Sequence, residues 1–455
     1  MAEFGSPLQV VRTALDRGRR LGVDLEAYAE SGRTVEIKVF GRQVESVSVA
    51  QPRGLGIRAL RAGRVGYAFT ADLSPSGIDR VLRQAVAAMA VVDADQWTGL
   101  PSAAGSGYPT IAGLWSPRLG STSLEEKMRL ALKAEEAALA APEVETVEES
   151  AYSDEESRVA VASTAGIEAE AERSFCVVWV MAHAGRDGER QSGLGFCAGR
   201  HPESLDPVAA GAEAAAKARA LLGARPCPTG RYTVVLDREV TGALLSYLAQ
   251  ALNAEAVQKG RSIFAGRLGE AVASSLVRLV DDGLAPQGMA SNPFDGEGVP
   301  HQKTTLISEG VLQAYLHNTY TARKAGGDVR STGNAARASY RVTPRVGVTN
   351  LVLEAGRGSL NELVARVGDG LYVDSVSGLH SGVNVISGEI SVGITGRLIE
   401  AGALGRPVRE ATIATDFDGL LGSVTDLAAD ERWLPFYGSV CTPSIAVAGV
   451  AVSGT

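Results

Sequence analysis

The chain is poor in the residues from which metal, redox and nucleophilic centres are built. Its 455 residues include five histidines, His183, His201, His301, His317 and His380. No two stand at i, i+4 or another short ligand spacing. A zinc site would have to be assembled from distant parts of the chain, with no HExxH or CxxC to anchor it. The four cysteines, Cys176, Cys197, Cys227 and Cys441, form no CxxC pair and no cluster. That is too few for a disulfide scaffold of this size, so reduced, mostly buried thiols are expected. GxSxG is absent, and so is a P-loop. Gly54-Leu55-Gly56 lacks the third glycine of a dinucleotide loop and lies in a hairpin pattern with no helix behind it. No stretch reaches the roughly 20 apolar residues that cross a bilayer, and MAEFGSPLQVV has no basic-then-apolar signal architecture. No membrane association is expected, and a cytoplasmic location is the default. The net charge of −8 gives no reason to expect nucleic acid as a partner.

What is present is an ordinary globular composition, 45% hydrophobic and 21% charged, long enough for two or three domains. The N-terminal half reads as mixed α and β. Ser6-Pro7 caps a helix running to about Gly22. Val35, Ile37 and Val39 alternate with polar residues as in a half-buried strand, and Leu55, Ile57 and Ala59 repeat the pattern. A turn at 61–64 leads into a return strand with Val65, Tyr67 and Phe69. Ser74-Pro75 opens a helix whose apolar positions, Ile78 to Met89, form one stripe. Residues 98–122, rich in Gly, Pro, Ser and Thr, read as a long connection. Ser123 and Glu126 make a capping box for the next helix. Strands are expected near 146–152, 157–163 and 174–182, and a helix over about 207–223. The segment 225–230, with two prolines and a glycine, is the best domain boundary. Beyond a helix at about 239–253 come short apolar runs broken by glycines: 276–281, 304–307, 311–316, 346–353, 371–374, 383–386, 389–394 and 444–450. They point to a largely antiparallel sheet or partly closed barrel.

The segment 244–270, LLSYLAQALNAEAVQKGRSIFAGRLGE, carries a resemblance. KGRSIFAGRLGE, 259–270, resembles the stretch that follows the zinc-binding helix in the TldD/PmbA family of peptidases. GLGIRALRAGRVGYAFTADLS (54–74), TGRYTVVLD (229–237), LVDDG (279–283), NPFDGEGVP (292–300), LISEGVLQAYLHNTYTARK (306–324), STGNAAR (331–337), SGEISVGITGRLIEAG (387–402) and GRPVREATIATDF (405–417) are similar to family blocks in the same order. The resemblance implies an α+β fold of two domains. Residues 1–225 would be an N-terminal α+β domain bearing chamber and partner contacts. Residues 226–455 would be a mostly antiparallel β pseudo-barrel with helices, a degenerate metallopeptidase domain.

In the family's catalytic branch the helix carries HExxxH. Counting back from Lys259, those positions fall on Leu245, Ser246 and Gln250. Leucine has no donor atom, serine is not a carboxylate base, and a glutamine amide is a poor zinc ligand beside imidazole. The chain therefore resembles the PmbA (TldE) branch, with no catalytic residue and no metal of its own. The resemblance implies a TldD-like HExxxH partner subunit that carries zinc, and an unstructured peptide as substrate. The pair degrades such peptides or trims leader segments from ribosomal peptide products. A homodimeric peptide-binding scaffold is the alternative. Cys441, close to the final strand, lies nearer that strand than the zinc-ligand cysteine of catalytic chains and reads as a packed thiol.

Other candidates are weaker. His380, Ser381 and Asn384 lie in VSGLHSGVNVISGE, 376–389, a glycine-punctuated stretch suited to lining a peptide channel or partner surface. A Ser–His hydrolase reading meets the objection that adjacent residues of an extended segment point apart. Asp281-Asp282 and Asp295-x-Glu297 are paired acids at glycine-bearing turns, where a turn role competes with cation binding or acid–base work. Asn334 and Arg337, in TGNAAR, read as a polar surface segment whose arginine pairs with a peptide carboxylate or an acidic partner, or with nothing.

Overall fold

The computed structural model describes residues 6–103, 105, 107–435 and 438–454. The N-terminal residues 1–5, and Ala104 and Ser106 of the long connection, lie outside the described residues.

The first half is a seven-stranded antiparallel sheet backed by helices. Its strands are β1 (Asp24–Phe40), β2 (Gln43–Ala50), β3 (Arg53–Arg61), β4 (Arg64–Thr70), β5 (Val144–Ser163), β6 (Glu168–Arg186) and β7 (Glu189–Gly199). They run in the order β4-β3-β1-β5-β6-β7. The long β1 pairs β3 along its first half and β2 along its second. Helix α1 (Pro7–Gly18) starts on Ser6, whose hydroxyl accepts from Gln9 N while the Gln9 side chain reaches back. It packs with α2 (Pro75–Ala88) over β1 and β3, burying Val11, Ala14, Ile78, Val81 and Leu82. The short α3 (Pro117–Ser121) lies within the stretch read as a plain connection. Helix α4 (Leu124–Leu139), capped by Ser123 and Glu126 as expected, and α5 (Pro207–Ala220) cover the second half. A Cβ at Gly211 would collide with Ala134 O, so only glycine lets α4 and α5 approach this closely. The two strands expected at 146–152 and 157–163 are one continuous strand, β5. The intervening charged residues belong to a ladder in which Asp154 to Arg158 pair with β1 on one side and β6 on the other.

The second half holds a closed five-stranded barrel. Its strands are β8 (Gly230–Leu236), β15 (Gly370–Ser377), β16 (Glu389–Glu400), β17 (Ala403–Asp416) and β21 (Ile445–Ser453), with β17 returning to β21 and β21 to β8. Only β8–β15 is parallel within it; β18 (Val424–Leu427) attaches outside to β21. A second sheet runs β11-β10-β9-β14-β20-β19. It comprises β9 (Leu279–Asp282), β10 (Lys303–Ser308), β11 (Val311–Leu312), β14 (Leu351–Leu353), β19 (Arg432–Leu434) and β20 (Val440–Thr442). A two-residue pair, β12 (Ala335–Ala336) with β13 (Arg345–Val346), stands apart. The run 383–386 is not a strand: only Val383 makes an isolated bridge to Ile390, and Asn384 organises the turn that follows. Helix α6 (Arg238–Ala251) packs against β14, β15 and β20, so it sits between barrel and second sheet. Leu244, Leu245, Leu248 and Leu252 enter one large core with Phe264 and Phe417. Each such leucine stabilises the fold by about 1.5–3 kcal/mol on burial. The remaining helices are short: α7 (Ala254–Gln258), α8 (Thr319–Ala325), α9 (Leu360–Val367), α10 (Leu379–Gly382) and α11 (Phe417–Gly422).

Candidate functional site

Helix α6 carries Leu245, Ser246 and Gln250, the positions at which the resemblance would place HExxxH. Asp237 caps it by accepting from Glu239 N at 2.8 Å. A Cβ at Gly242 would collide with Leu434 Cδ1, so the helix lies flush on the second sheet. Leu245 is 4% exposed. With Leu244 it lines a tight apolar pocket that includes Val277, Phe417 and Leu421. Ser246 Oγ donates to Ala243 O at 2.6 Å, and Gln250 is exposed. These three side chains do not fit a zinc ion. One has no lone pair, one is committed to the backbone a turn earlier, and one projects away from the apolar pocket. Cys441 on β20 is 6% exposed, and its neighbour Thr442 is the residue that meets Gly242. Alternation therefore turns Cys441 to the other face of the strand. Burial, reinforced by Glu431, pushes its thiol up to about 12, as expected of a packed thiol. Among the described residues no three His, Cys, Asp or Glu side chains form a metal-sized group.

The second concentration of chemistry lies between the domains. A cavity of about 190 Å³ is lined by Tyr28 and Arg173 from the first sheet and by Asp295, His301, Asn334 and Arg337 from the second domain. Asn334 is 2% exposed. Its amide donates to Asp281 Oδ2 at 2.6 Å and to Gly347 O at 3.0 Å. Arg337 is not a surface residue: its side chain is 1% exposed and stacks over the Tyr28 ring at 4.8 Å. Its Nε donates to Gly296 O at 2.8 Å, Nη1 to Val342 O at 3.1 Å and Nη2 to Glu26. A ligand carboxylate would have to displace Glu26 to reach this guanidinium. Glu26 also meets Arg58 Nη2 at 2.5 Å, and Arg58 in turn meets Glu297 Oε1 at 3.1 Å. The result is a buried chain of alternating charge, Arg337–Glu26–Arg58–Glu297, that crosses the domain boundary twice.

The paired acids belong to this network. Asp295 does shape a turn, with Gly298 N donating to its carbonyl at 3.0 Å. Its carboxylate is nonetheless 4% exposed and accepts from Glu297 N, Val299 N and Ala335 N at 2.8–3.0 Å. Burial and the neighbouring Glu297 charge raise its pKa, and those three N–H groups oppose the rise. Asp281 is not at a turn but on β9. Burial pushes it up to about 6, against hydrogen bonds from Asn334 and Thr349. His301 is 8% exposed, with an unpaired Nδ1, and burial brings it down to about 4, so it is neutral near pH 7. The sequence signals for Asp281, Asp295 and Asn334 were the nearby glycines Gly283, Gly296 and Gly333, which mark turns and say nothing of burial. Glu26 and Arg58 carried no signal, since each reads as the polar member of an alternating strand.

His380, Ser381 and Asn384 lie elsewhere. All three are exposed, on and just after α10 beside β16. Ser381 Oγ donates to Gly378 O at 3.2 Å, and Asn384 Oδ1 accepts from Ile386 N and Ser387 N. Among the described residues no hydrogen bond joins the His380 ring to Ser381. The fold therefore does not bring this group together with Asn334 and Arg337. His183 on β6 is held between Ser192 Oγ and Glu148 Oε2, each at 2.8 Å, a bridge across three strands.

An α+β chain with a closed five-stranded barrel and a helix wedged against it is an architecture shared with several solved structures. A structure described as a putative modulator of a DNA gyrase, from Thermotoga maritima, superposes with a TM-score of 0.90 at 28% identity, covering 98% of this chain and 99% of that one. TldE from Thermococcus kodakarensis shares the fold with a TM-score of 0.89 at 21% identity, over 98% and 100% of the two chains. Sequence models of the PmbA/TldA metallopeptidase match in three consecutive parts: domain 1 over residues 25–89, the central domain over 117–222 and the C-terminal domain over 229–454. The chain belongs to the PmbA/TldD family. Among relatives, Metalloprotease PmbA of Escherichia coli O157:H7 is 27% identical over 97% of this chain and 96% of its own length. A Metalloprotease TldD homolog of Haemophilus influenzae is 28% identical over 86% and 82%.

Proposed function

We propose that this chain is a non-catalytic, TldE/PmbA-like subunit of a heteromeric zinc metallopeptidase. Its substrates are unstructured peptides, in general clearance or as leader segments of ribosomal peptide products. The observation that carries the reading is Leu245: a buried apolar side chain, 4% exposed, at the position where counting back from Lys259 puts the first residue of HExxxH. Ser246 and Gln250 offer neither the carboxylate base nor the second imidazole that zinc-assisted hydrolysis uses. On this reading a TldD-like HExxxH partner holds zinc, which supplies a polarised carbonyl and an activated water there. This chain contributes shape and backbone. Its part is to complete the chamber and to hold an extended peptide by strand addition, with main-chain hydrogen bonds giving affinity. The interdomain cavity supports a substrate-facing role for the region around Asn334, because it is concave and mixes polar and apolar lining.

The test is reconstitution. The purified chain alone leaves an unstructured peptide intact, and addition of an HExxxH family partner produces cleavage that a chelator abolishes. Chelator-sensitive hydrolysis by the lone chain would defeat the proposal.

A further inference from the structure

The cavity between the domains holds hydrogen-bonding capacity that the protein itself does not use. Tyr28, on β1, is 7% exposed and lines it. Its ring carries the Arg337 guanidinium on one face, yet its hydroxyl makes no hydrogen bond among the described residues. Burial pushes the phenol up to about 12, so at pH 7 it keeps its proton and is a donor. A buried hydroxyl without a partner is costly, and an incoming acceptor removes that cost.

Arg173, on β6, stands at the same cavity with its side chain 39% exposed. Its one ion pair among the described residues is with Glu155, at 3.4 Å, and that carboxylate is exposed as well. A pair so long and so wet contributes little and is readily exchanged. Arg200 lies beside Arg173. It donates to Ser174 O at 3.0 Å and to Gly288 O, and forms no ion pair among the described residues.

The other polar groups of the cavity are already committed. The Asp295 carboxylate accepts from three backbone N–H groups, and the Asn334 amide is spent on Asp281 and Gly347. Glu30, the second acid near Arg173, accepts from Tyr340 N at 3.1 Å. His301 is neutral near pH 7. What remains is a hydroxyl donor and an exchangeable guanidinium, the complement of a carboxylate. The rest of the wall includes Val159, Ala171 and Phe294. At about 190 Å³ the space is smaller than the roughly 300–1,000 Å³ of a pocket for a drug-sized ligand, so it takes one residue rather than a run of them. A carboxylate joined to a single apolar side chain is what the C-terminus of a peptide presents.

We propose that this cavity seats the C-terminal residue of a peptide: the carboxylate replaces Glu155 on Arg173 and accepts from the Tyr28 hydroxyl, while the side chain lies against Val159, Ala171 and Phe294. The site rests on the peptide-holding role proposed above and adds which end of the peptide is held.

Fluorescence anisotropy of an unstructured peptide ending in leucine, labelled at its N-terminus and titrated with the full chain, tests this. The free acid binds about tenfold or more tightly than the same peptide with a C-terminal amide, as a charge-assisted hydrogen bond requires. Arg173→Gln brings the two affinities together. Tyr28→Phe keeps the ring under Arg337 and narrows the preference about threefold. Glu155→Gln widens it, because the competing carboxylate is gone; a damaged fold does not produce that gain. Equal binding of acid and amide, binding of neither, or a preference that Arg173→Gln leaves intact overturns the proposal. So does an amidated peptide with an internal aspartate that binds as well as the free acid. Chelator-sensitive cleavage on addition of an HExxxH partner stands in each of these cases, so failure here is distinct from failure of the subunit reading.

Discussion

A single guanidinium, that of Arg337, ties three segments of this chain together. It stacks on Tyr28 of β1, donates to two carbonyls of the second domain and pairs with the buried Glu26. Removing it leaves Glu26 with only Arg58 and strands Gly296 O, whereas Val342 O keeps the Tyr67 hydroxyl. Arg337→Ala is expected to lower stability by about 3–5 kcal/mol, read as a fall in the urea midpoint. Arg337→Lys does not recover it, since an ammonium does not reproduce a planar fork aimed in three directions. Asp281 makes a different prediction. Its carboxyl is raised to about 6 by burial, so the folded chain holds this proton more tightly than the unfolded chain does. The stabilisation from that proton is complete below about pH 4 and is lost as pH rises through about 6, a change on the order of 3 kcal/mol. Against Asp281→Asn, the wild-type urea midpoint should therefore decline between pH 4 and pH 7; a difference that stays level with pH contradicts this account. None of this burial was legible in the sequence. Asp281 and Asn334 sit 53 positions apart, and polar residues in glycine-bearing contexts look solvated until the fold closes over them.

Among the elements, the helices were the most legible, because their signals are local. The Ser6 and Ser123 caps and the stripe from Ile78 to Met89 each required only one turn of neighbours. Strands read less well. The charged stretch Asp154 to Arg158 hid the continuity of β5, because a strand paired on both sides tolerates polar residues that a pattern search treats as a break. β2 went unread: the bulge at Glu45 breaks its pattern, and only Val47 and Val49 alternate with serines beyond it. Helix α6 gave both its position and its composition, and the structure adds what its leucines touch. Leu245→Ala should cost about 2–4 kcal/mol, the transfer and cavity cost of a buried leucine, measured as loss of the thermal midpoint. A neutral substitution would mean that this position is not filled by packing, and would remove the physical reason for reading α6 as structural.

At the scale of the whole molecule, two domains meet through charge and through a cavity, while helix α6 is packed into an apolar core. The resemblance of ordered blocks along the chain to the family implied this architecture. The barrel's closure through β17 and β21 was beyond local reading, since the pairs lie about 40 residues apart: Thr412 with Ser453, and Ala414 with Ala451. On the proposed reading, α6 holds no metal. Native mass spectrometry of the chain, purified without chelator and then incubated with zinc, tests it most directly. The expected result is the mass of the bare polypeptide, unchanged by the incubation; one tightly retained zinc per chain, lost when Gln250 or Cys441 is replaced, would contradict it.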